Sequence, residues 1–184
     1  MKKLLTILLA TICLFALCAC NSGSNLDSNP TGANPIKVGV VQTTQHPALD
    51  AATQGFVDAL KENGITNVDV QNASGESANC STIVGNFVAD GVDLIMANAT
   101  PALQAASAAT DTIPVLGTSI TVYDVVLGGS VPKNVSGTTD LAPLDEQAKM
   151  ITELFPEAKK VGILFCSAEA NSQYQVDKIS EFLK

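Results

Sequence analysis

From residue 36 onward, short β-branched runs alternate with amphipathic helical stretches, and this alternation narrows the possible folds more than any other feature of the chain. Residues 36 to 42 (IKVGVVQ) form a β-branched run ending in a polar residue, the mark of a buried strand. Residues 48 to 63 place Leu49, Ala52, Phe56 and Leu60 on one helical face, and Gly64 stops the helix. A second strand follows at 68 to 72. A helix from Ser77 turns Ile83, Val84, Phe87 and Val88 inward and closes at Gly91. Next come a strand at 93 to 97 (DLIMA), an Ala-rich helix at 100 to 110 and a strand at 113 to 117 (IPVLG). After a looser stretch to about Ser136, the pattern predicts a helix at 144 to 155, a strand at 160 to 165 (KVGILF) and a helix at 171 to 183. This order predicts an α/β fold: right-handed βαβ units and a parallel sheet with helices on both faces.

On such sheets ligands bind outside the carboxyl ends of the strands. The loops to inspect are therefore 43 to 47, 98 to 101, 118 to 123 and 167 to 172. Asn98-Ala99-Thr100-Pro101 sets a hydroxyl at the expected N-cap and Pro at the first helical position. Free N–H groups there favour a ligand carboxylate, although a simply capped helix reads the same way. Gly117-Thr118-Ser119-Ile120-Thr121 supplies three hydroxyls past the fourth strand, and Ser167 to Ser172 repeats the theme past the fifth. Turns favour the same residues; three such clusters at corresponding strand ends point to a polar binding rim.

Several chemistries lack their parts. The formal net charge is -8, so nucleic acid and anionic membrane surfaces have no electrostatic partner here. No arginine is present, which removes bidentate clamps for phosphate or carboxylate. With one histidine and no Cys/His cluster at ligand spacing, no metal site is expected. No glycine-rich phosphate loop, dinucleotide fingerprint or nucleophile elbow occurs, so no cofactor is called for. Sugar sites use aromatic platforms, whereas this chain has no Trp and only two Tyr, Tyr123 and Tyr174. An amino acid held by hydroxyls, helix N–H groups and a carboxylate fits what remains. His46 and Asp50, one helical turn apart, are the nearest approach to an acid–base pair. A loop-shaping histidine and a solvated helix carboxylate explain them equally. Cys80 and Cys166 each fall inside an apolar pattern that reads as core, and nothing in the sequence pairs them.

The N-terminus reads as an address. A basic start (Met1, Lys2, Lys3) precedes sixteen residues, 4 to 19, that are almost wholly apolar. A membrane span needs about 20, so the length suits a signal-peptide core over 1 to 19. The run ends Leu17-Cys18-Ala19-Cys20, which resembles a lipobox with Cys20 as the acylated residue; Cys18 departs mildly from the usual small residue. A plain secretory signal cut near Ala19 is the simpler alternative. Residues 20 to 35, rich in Asn, Ser, Gly and Pro, read as a flexible tether. The implied location is outside the cytoplasmic membrane, lipid-anchored at Cys20.

The run VGVVQTTQHPALDAATQGFVDAL (38 to 60) resembles the first strand and helix of a family of ABC transporter substrate-binding proteins whose best-understood members bind tryptophan, phenylalanine or tyrosine. VQNASGESAN (70 to 79), DLIMANATPALQAA (93 to 106), NVSGTTDLAPLDEQ (134 to 147) and KKVGILFCSAEANSQYQV (159 to 176) are similar in the same order. The resemblance spans nearly all of 36 to 184. It implies a type I periplasmic-binding-protein fold with a ligand-binding lobe over 36 to 136 and the start of a second, incomplete lobe over 137 to 184. It implies a small-molecule ligand, an ABC permease with its ATPase as partner, no enzymatic activity and no nucleic acid. By residue matching, Gln42, His46 and Asp50 fall on one wall and Thr100 takes the α-carboxylate. Ser119 and Thr121 add hydroxyl donors, Thr139 and Asp140 lie near the crossover with Asp140 a possible amine partner, and Ser167, Asn171 and Ser172 face them from the second lobe. Where the family has Thr-Asp-Pro after the fourth strand, Thr121 is followed here by Val122-Tyr123-Asp124. Three alternatives stay open: a module serving a membrane sensor, an α/β enzyme using His46 and Asp50, and a fragment without function.

Overall fold

The computed structural model describes residues 35 to 184; the expected signal peptide, Cys20 and nearly all of the tether lie outside the described residues. Five strands, β1 (Lys37–Gln42), β2 (Asn67–Asn72), β3 (Leu94–Asn98), β4 (Val115–Ile120) and β5 (Val135–Thr139), form one parallel sheet in the order β2-β1-β3-β4-β5. Between them run helices α1 (Pro47–Glu62), α2 (Ser77–Ala89), α3 (Thr100–Ala109) and the single turn α4 (Tyr123–Val126). Helices α5 (Leu144–Leu154) and α6 (Ala170–Phe182) follow and pack on each other.

The two faces of the sheet follow from the alternation of side chains along a strand. Val38, Val40 and Met96 point to one face and pack against Phe56 and Leu60 of α1. Val41, Ile95, Ala97 and Val115 point to the other and meet Val84 and Phe87 of α2 and Leu103 and Ala106 of α3. Phe87 lies so close over β1 that a Cβ at Gly39 would fall 2.6 Å from its ring, so only glycine fits there. Burying these rows of aliphatic side chains is the main stabilising term, at about 25 cal/mol per Å² of apolar surface.

Two expectations fail in ways that have a physical cause. Residues 160 to 165 are not a strand. Their apolar pattern suits a buried strand, but a parallel strand needs an edge to pair with, and among the described residues none lies beside them. Val161, Ile163 and Phe165 are therefore exposed, and Leu164 is 101% exposed. In turn, the supposedly loose stretch to Ser136 holds the end of β4, α4 and the start of β5. Strand β5 crosses the expected 136/137 division and pairs with β4, so Gly137, Thr138 and Thr139 belong to the sheet. Its sequence, VSGTT, has no apolar run to announce it.

Candidate functional site

The strand order reverses between β1 and β3: the chain goes from β1 outward to β2, and from β3 the opposite way to β4. Such a reversal leaves a crevice at the carboxyl ends of the two strands. There Gln42 pairs in register with Asn98, each the last member of an apolar row facing α1. Gln42 is 4% exposed and Asn98 0%. Buried amides are costly unless they are hydrogen-bonded, and these two are linked through α1. Asn98 Nδ2 donates to Leu49 O (2.8 Å) and Thr53 Oγ1 (2.9 Å). Thr53 Oγ1 donates to Gln42 Oε1 (2.6 Å), and Gln42 Nε2 donates to Asp50 Oδ1 (2.6 Å) and Thr44 O (2.8 Å). The donors all run one way, from Asn98 to the carboxylate of Asp50, which serves as the terminal acceptor. Through Thr44 O the chain also fixes the loop after β1. Asn98 Oδ1 has no partner among the described residues.

A second set of bonds fixes the start of α3. The Thr43 N–H and hydroxyl both donate to Asn98 O, at 3.2 and 3.0 Å, and Thr43 Oγ1 accepts from Ala102 N at 3.3 Å. Thr43, one strand away, thus does the work of an N-cap. Thr100 is not the cap: it is the first helical residue, and the cap position is Ala99 with φ 79° and ψ 164°. This backbone region is essentially reserved for glycine, and an alanine held there costs on the order of 1–3 kcal/mol. Ala99 N–H to Thr118 O (3.0 Å) and Leu103 N–H to Ala99 O (3.1 Å) hold it.

At the end of β4 the pairing with β5 is irregular between Gly117 and Ile120, and Ser119 takes φ 57°. Beyond this bulge Asp140 N–H donates to Ile120 O (3.0 Å) and Thr139 Oγ1 to Thr121 O (2.7 Å). Thr139 Oγ1 also accepts from Leu141 N (3.1 Å).

These strand ends line a cavity of about 440 Å³, within the usual range for small-molecule sites. On the sheet side stand Thr43, Thr44, His46, Thr100, Ser119 and Thr121; Asp140, Glu169, Asn171 and Gln175 complete it. Acceptors gather around it: Asp140 just after β5 and Glu169 at the start of α6 bring carboxylates, and Asn171 Oδ1 is buried without a partner among the described residues. No lysine lines the cavity. Such a space suits a small molecule that carries a cationic hydrogen-bond donor together with acceptors for hydroxyls.

Of the residues expected from sequence, His46, Thr100, Ser119, Thr121, Asp140 and Asn171 come together around this cavity. Gln42 and Asp50 do not: they line a separate cavity of about 570 Å³ on the β2 side. His46 Nδ1 accepts from Ala48 N at 3.2 Å and caps α1, so His46 and Asp50 serve different cavities and form no acid–base pair. Thr139 braces the crossover, Ser167 is exposed, and Ser172 Oγ donates to Glu169 Oε2 (3.1 Å); none of the three is among the lining residues. Sequence reasoning missed Thr43, Thr44, Glu169 and Gln175. The two threonines lie inside the loop that the strand-end rule singled out. Gln175 is one helical turn beyond Asn171, a spacing that marks one face. Cys80 is buried and Cys166 exposed, and both are free. Burial pushes the Cys80 thiol up, against a smaller opposing contribution from its hydrogen bond with Thr43. Among the described residues no group of three or more His, Cys, Asp or Glu is placed to hold a metal, and no helix is long and apolar enough to cross a membrane.

Residues 37 to 184 match the family described as ABC transporter substrate binding protein. A tyrosine-binding protein of Clostridioides difficile is 34% identical, over all of this chain and 57% of its own length. Among solved structures, an ABC domain from Streptococcus pneumoniae in complex with L-Trp is 35% identical with a TM-score of 0.73, over 80% of this chain and 52% of that one. The ligand-free, open form of a substrate-binding protein with adhesive properties from Clostridium difficile is 38% identical with a TM-score of 0.63, over 80% and 53%. The chain thus spans little more than half the length of the relatives it matches.

Proposed function

The chain belongs to the ABC transporter substrate-binding protein family, whose members bind solutes and are not enzymes, and from that premise we propose that it captures an amino acid, aromatic by preference, outside the cytoplasmic membrane. The observation that carries this reading is the cavity of about 440 Å³ at the ends of β1, β3 and β4, lined by hydroxyls and by the acceptors of Asp140, Glu169 and Asn171. The ligand's ammonium group sits among those three acceptors, where charge-assisted bonds are strongest. Its carboxylate sits by Thr100 at the start of α3, on the positive end of the helix. The tyrosine-binding relative and the L-Trp complex support an aromatic side chain on the ligand.

In this reading the sheet region catches the ligand and the region from Leu141 onward closes over it. The closed form presents the ligand to a permease driven by its ATPase. Cys20 carries the lipid that keeps the protein at the membrane, with 1 to 19 removed as a signal and 20 to 35 as tether.

The test is a thermal-shift and calorimetry screen of the full chain against L-tryptophan, L-tyrosine, L-phenylalanine, other amino acids, sugars and nucleosides. A ligand at 100 times its Kd stabilises the folded state by about 2.7 kcal/mol, so the melting temperature rises with concentration. The deaminated analogue 3-(4-hydroxyphenyl)propionate should bind at least tenfold more weakly than L-tyrosine. A response to a sugar or nucleoside, with none to any amino acid, overturns the proposal. Metabolic labelling with palmitate in cells bearing the native chain or Cys20→Ala tests the anchor.

A further inference from the structure

We propose that Tyr123 is a positioning residue for ligand binding: its phenol braces the bulge at the end of β4 and so holds Ser119, Thr121 and Asp140 on the cavity. The inference rests on the reading of that cavity as the ligand site. Tyr123 itself is not among the lining residues. Its hydroxyl donates to Gly117 O at 2.8 Å and lies 3.1 Å from Thr138 O, bridging β4 and β5 where their pairing is irregular. The fit is tight. A Cβ at Gly117 would stand 2.5 Å from the phenol oxygen, and one at Gly137, whose φ is 148°, would collide with that oxygen and with Gly117 O. Two glycines therefore make a slot that one tyrosine hydroxyl fills.

The residues beyond the slot are those the cavity uses. Ser119 sits two positions after Gly117 in the left-handed region, where a serine persists only if its surroundings hold it. Ile120 O and Thr121 O are tied to Asp140 N and Thr139 Oγ1, so the end of β4 and the chain leaving β5 move as a unit. Taking the hydroxyl away leaves Gly117 O and Thr138 O without the donor that spans them. The bulge then samples other conformations, and ligand binding must select the competent one, which weakens apparent affinity in proportion.

The experiment compares the full chain with Tyr123→Phe and with Val68→Ala, a change on β2 beside α1 and away from the cavity. Calorimetry with L-tryptophan and L-tyrosine gives Kd, melting temperature gives stability, and amide hydrogen exchange without ligand reports residues 118 to 121. The expected result for Tyr123→Phe is a Kd weaker by about five- to tenfold and faster exchange at 118 to 121, with β1 and β2 unchanged. Val68→Ala should lower the melting temperature while leaving Kd within about twofold. A Tyr123→Phe chain that melts lower but binds within twofold of the parent, or exchanges no faster at 118 to 121, overturns the proposal. A parent chain that binds neither amino acid overturns the ligand reading instead, and the exchange comparison still decides whether Tyr123 braces the bulge.

Discussion

Residues 37 to 139 and residues 140 to 184 have similar local ingredients and very different outcomes. In the first region the apolar rows of β1, β3 and β4 have neighbours: Val38, Val40 and Met96 under α1, and Val41, Ile95 and Val115 under α2 and α3. In the second, α5 and α6 pack on each other, while Leu154 and Phe155 are each 65% exposed and 160 to 165 has no ladder. The run KVGILF has at least as much strand character as IKVGVVQ. What differs is the availability of an edge. A strand is a property of a pair, and an apolar pattern alone states only what a segment does when it has something to pair with.

The largest test of this contrast compares two phenylalanines. Phe87→Ala should cost about 3–5 kcal/mol in urea unfolding, since its ring fills the space over Gly39. Phe155→Ala should stay within about 0.5 kcal/mol. Equal losses would mean that the second region is packed as tightly as the first. Next comes Thr53→Val, which keeps the shape and removes the hydroxyl linking Asn98 to Gln42. Two buried amides then lose a partner, and stability should fall by about 1–3 kcal/mol, with amides of the 43 to 46 loop exchanging faster. A smaller contrast separates the cysteines. At pH 8, iodoacetamide should label Cys166 in the folded chain and leave Cys80 unmodified until denaturant is added, because only the thiolate reacts and burial keeps Cys80 protonated. The smallest effect is alkaline. Tyr123 is raised above its ordinary 10.0 by burial and then by the negative charge of Asp140. The folded state therefore keeps this proton when the unfolded chain loses it. Its contribution is fully present below pH 10 and declines as pH rises through the folded-state value. Tyr123→Phe should flatten that alkaline decline.

Much of the sheet region was legible because hydrophobic period and burial agree there. Strands β1 to β4 and helices α1 to α3 follow from runs such as DLIMA and from Leu49, Phe56 and Leu60 at helical spacing. Strand β5 was not legible, since VSGTT is held by pairing with β4 and by the tyrosine slot, both long-range. The site divided in a similar way. The strand-end rule found the right loops, and six of the named residues meet at the cavity. Gln42 and Asp50 were placed on its wall because strand position alone cannot say which neighbour a side chain meets; Thr53, eleven residues from Gln42, turns them to structural use. Thr100 looked like a cap because the local sequence allows it, while the actual donor-satisfying group, Thr43, lies in the loop after β1, far away in sequence.

Ala99, held at φ 79° and ψ 164° on the rim of the cavity, has a consequence at the level of the gene. Every alanine codon is one nucleotide from a glycine codon. Glycine relieves the unfavourable backbone and raises unfolded-chain freedom, for a net gain of about 1 kcal/mol. That single-nucleotide change should raise the melting temperature by roughly 2–4 °C in a chain of this size. Its cost is freedom at the start of α3, where glycine admits backbone states that the alanine excludes.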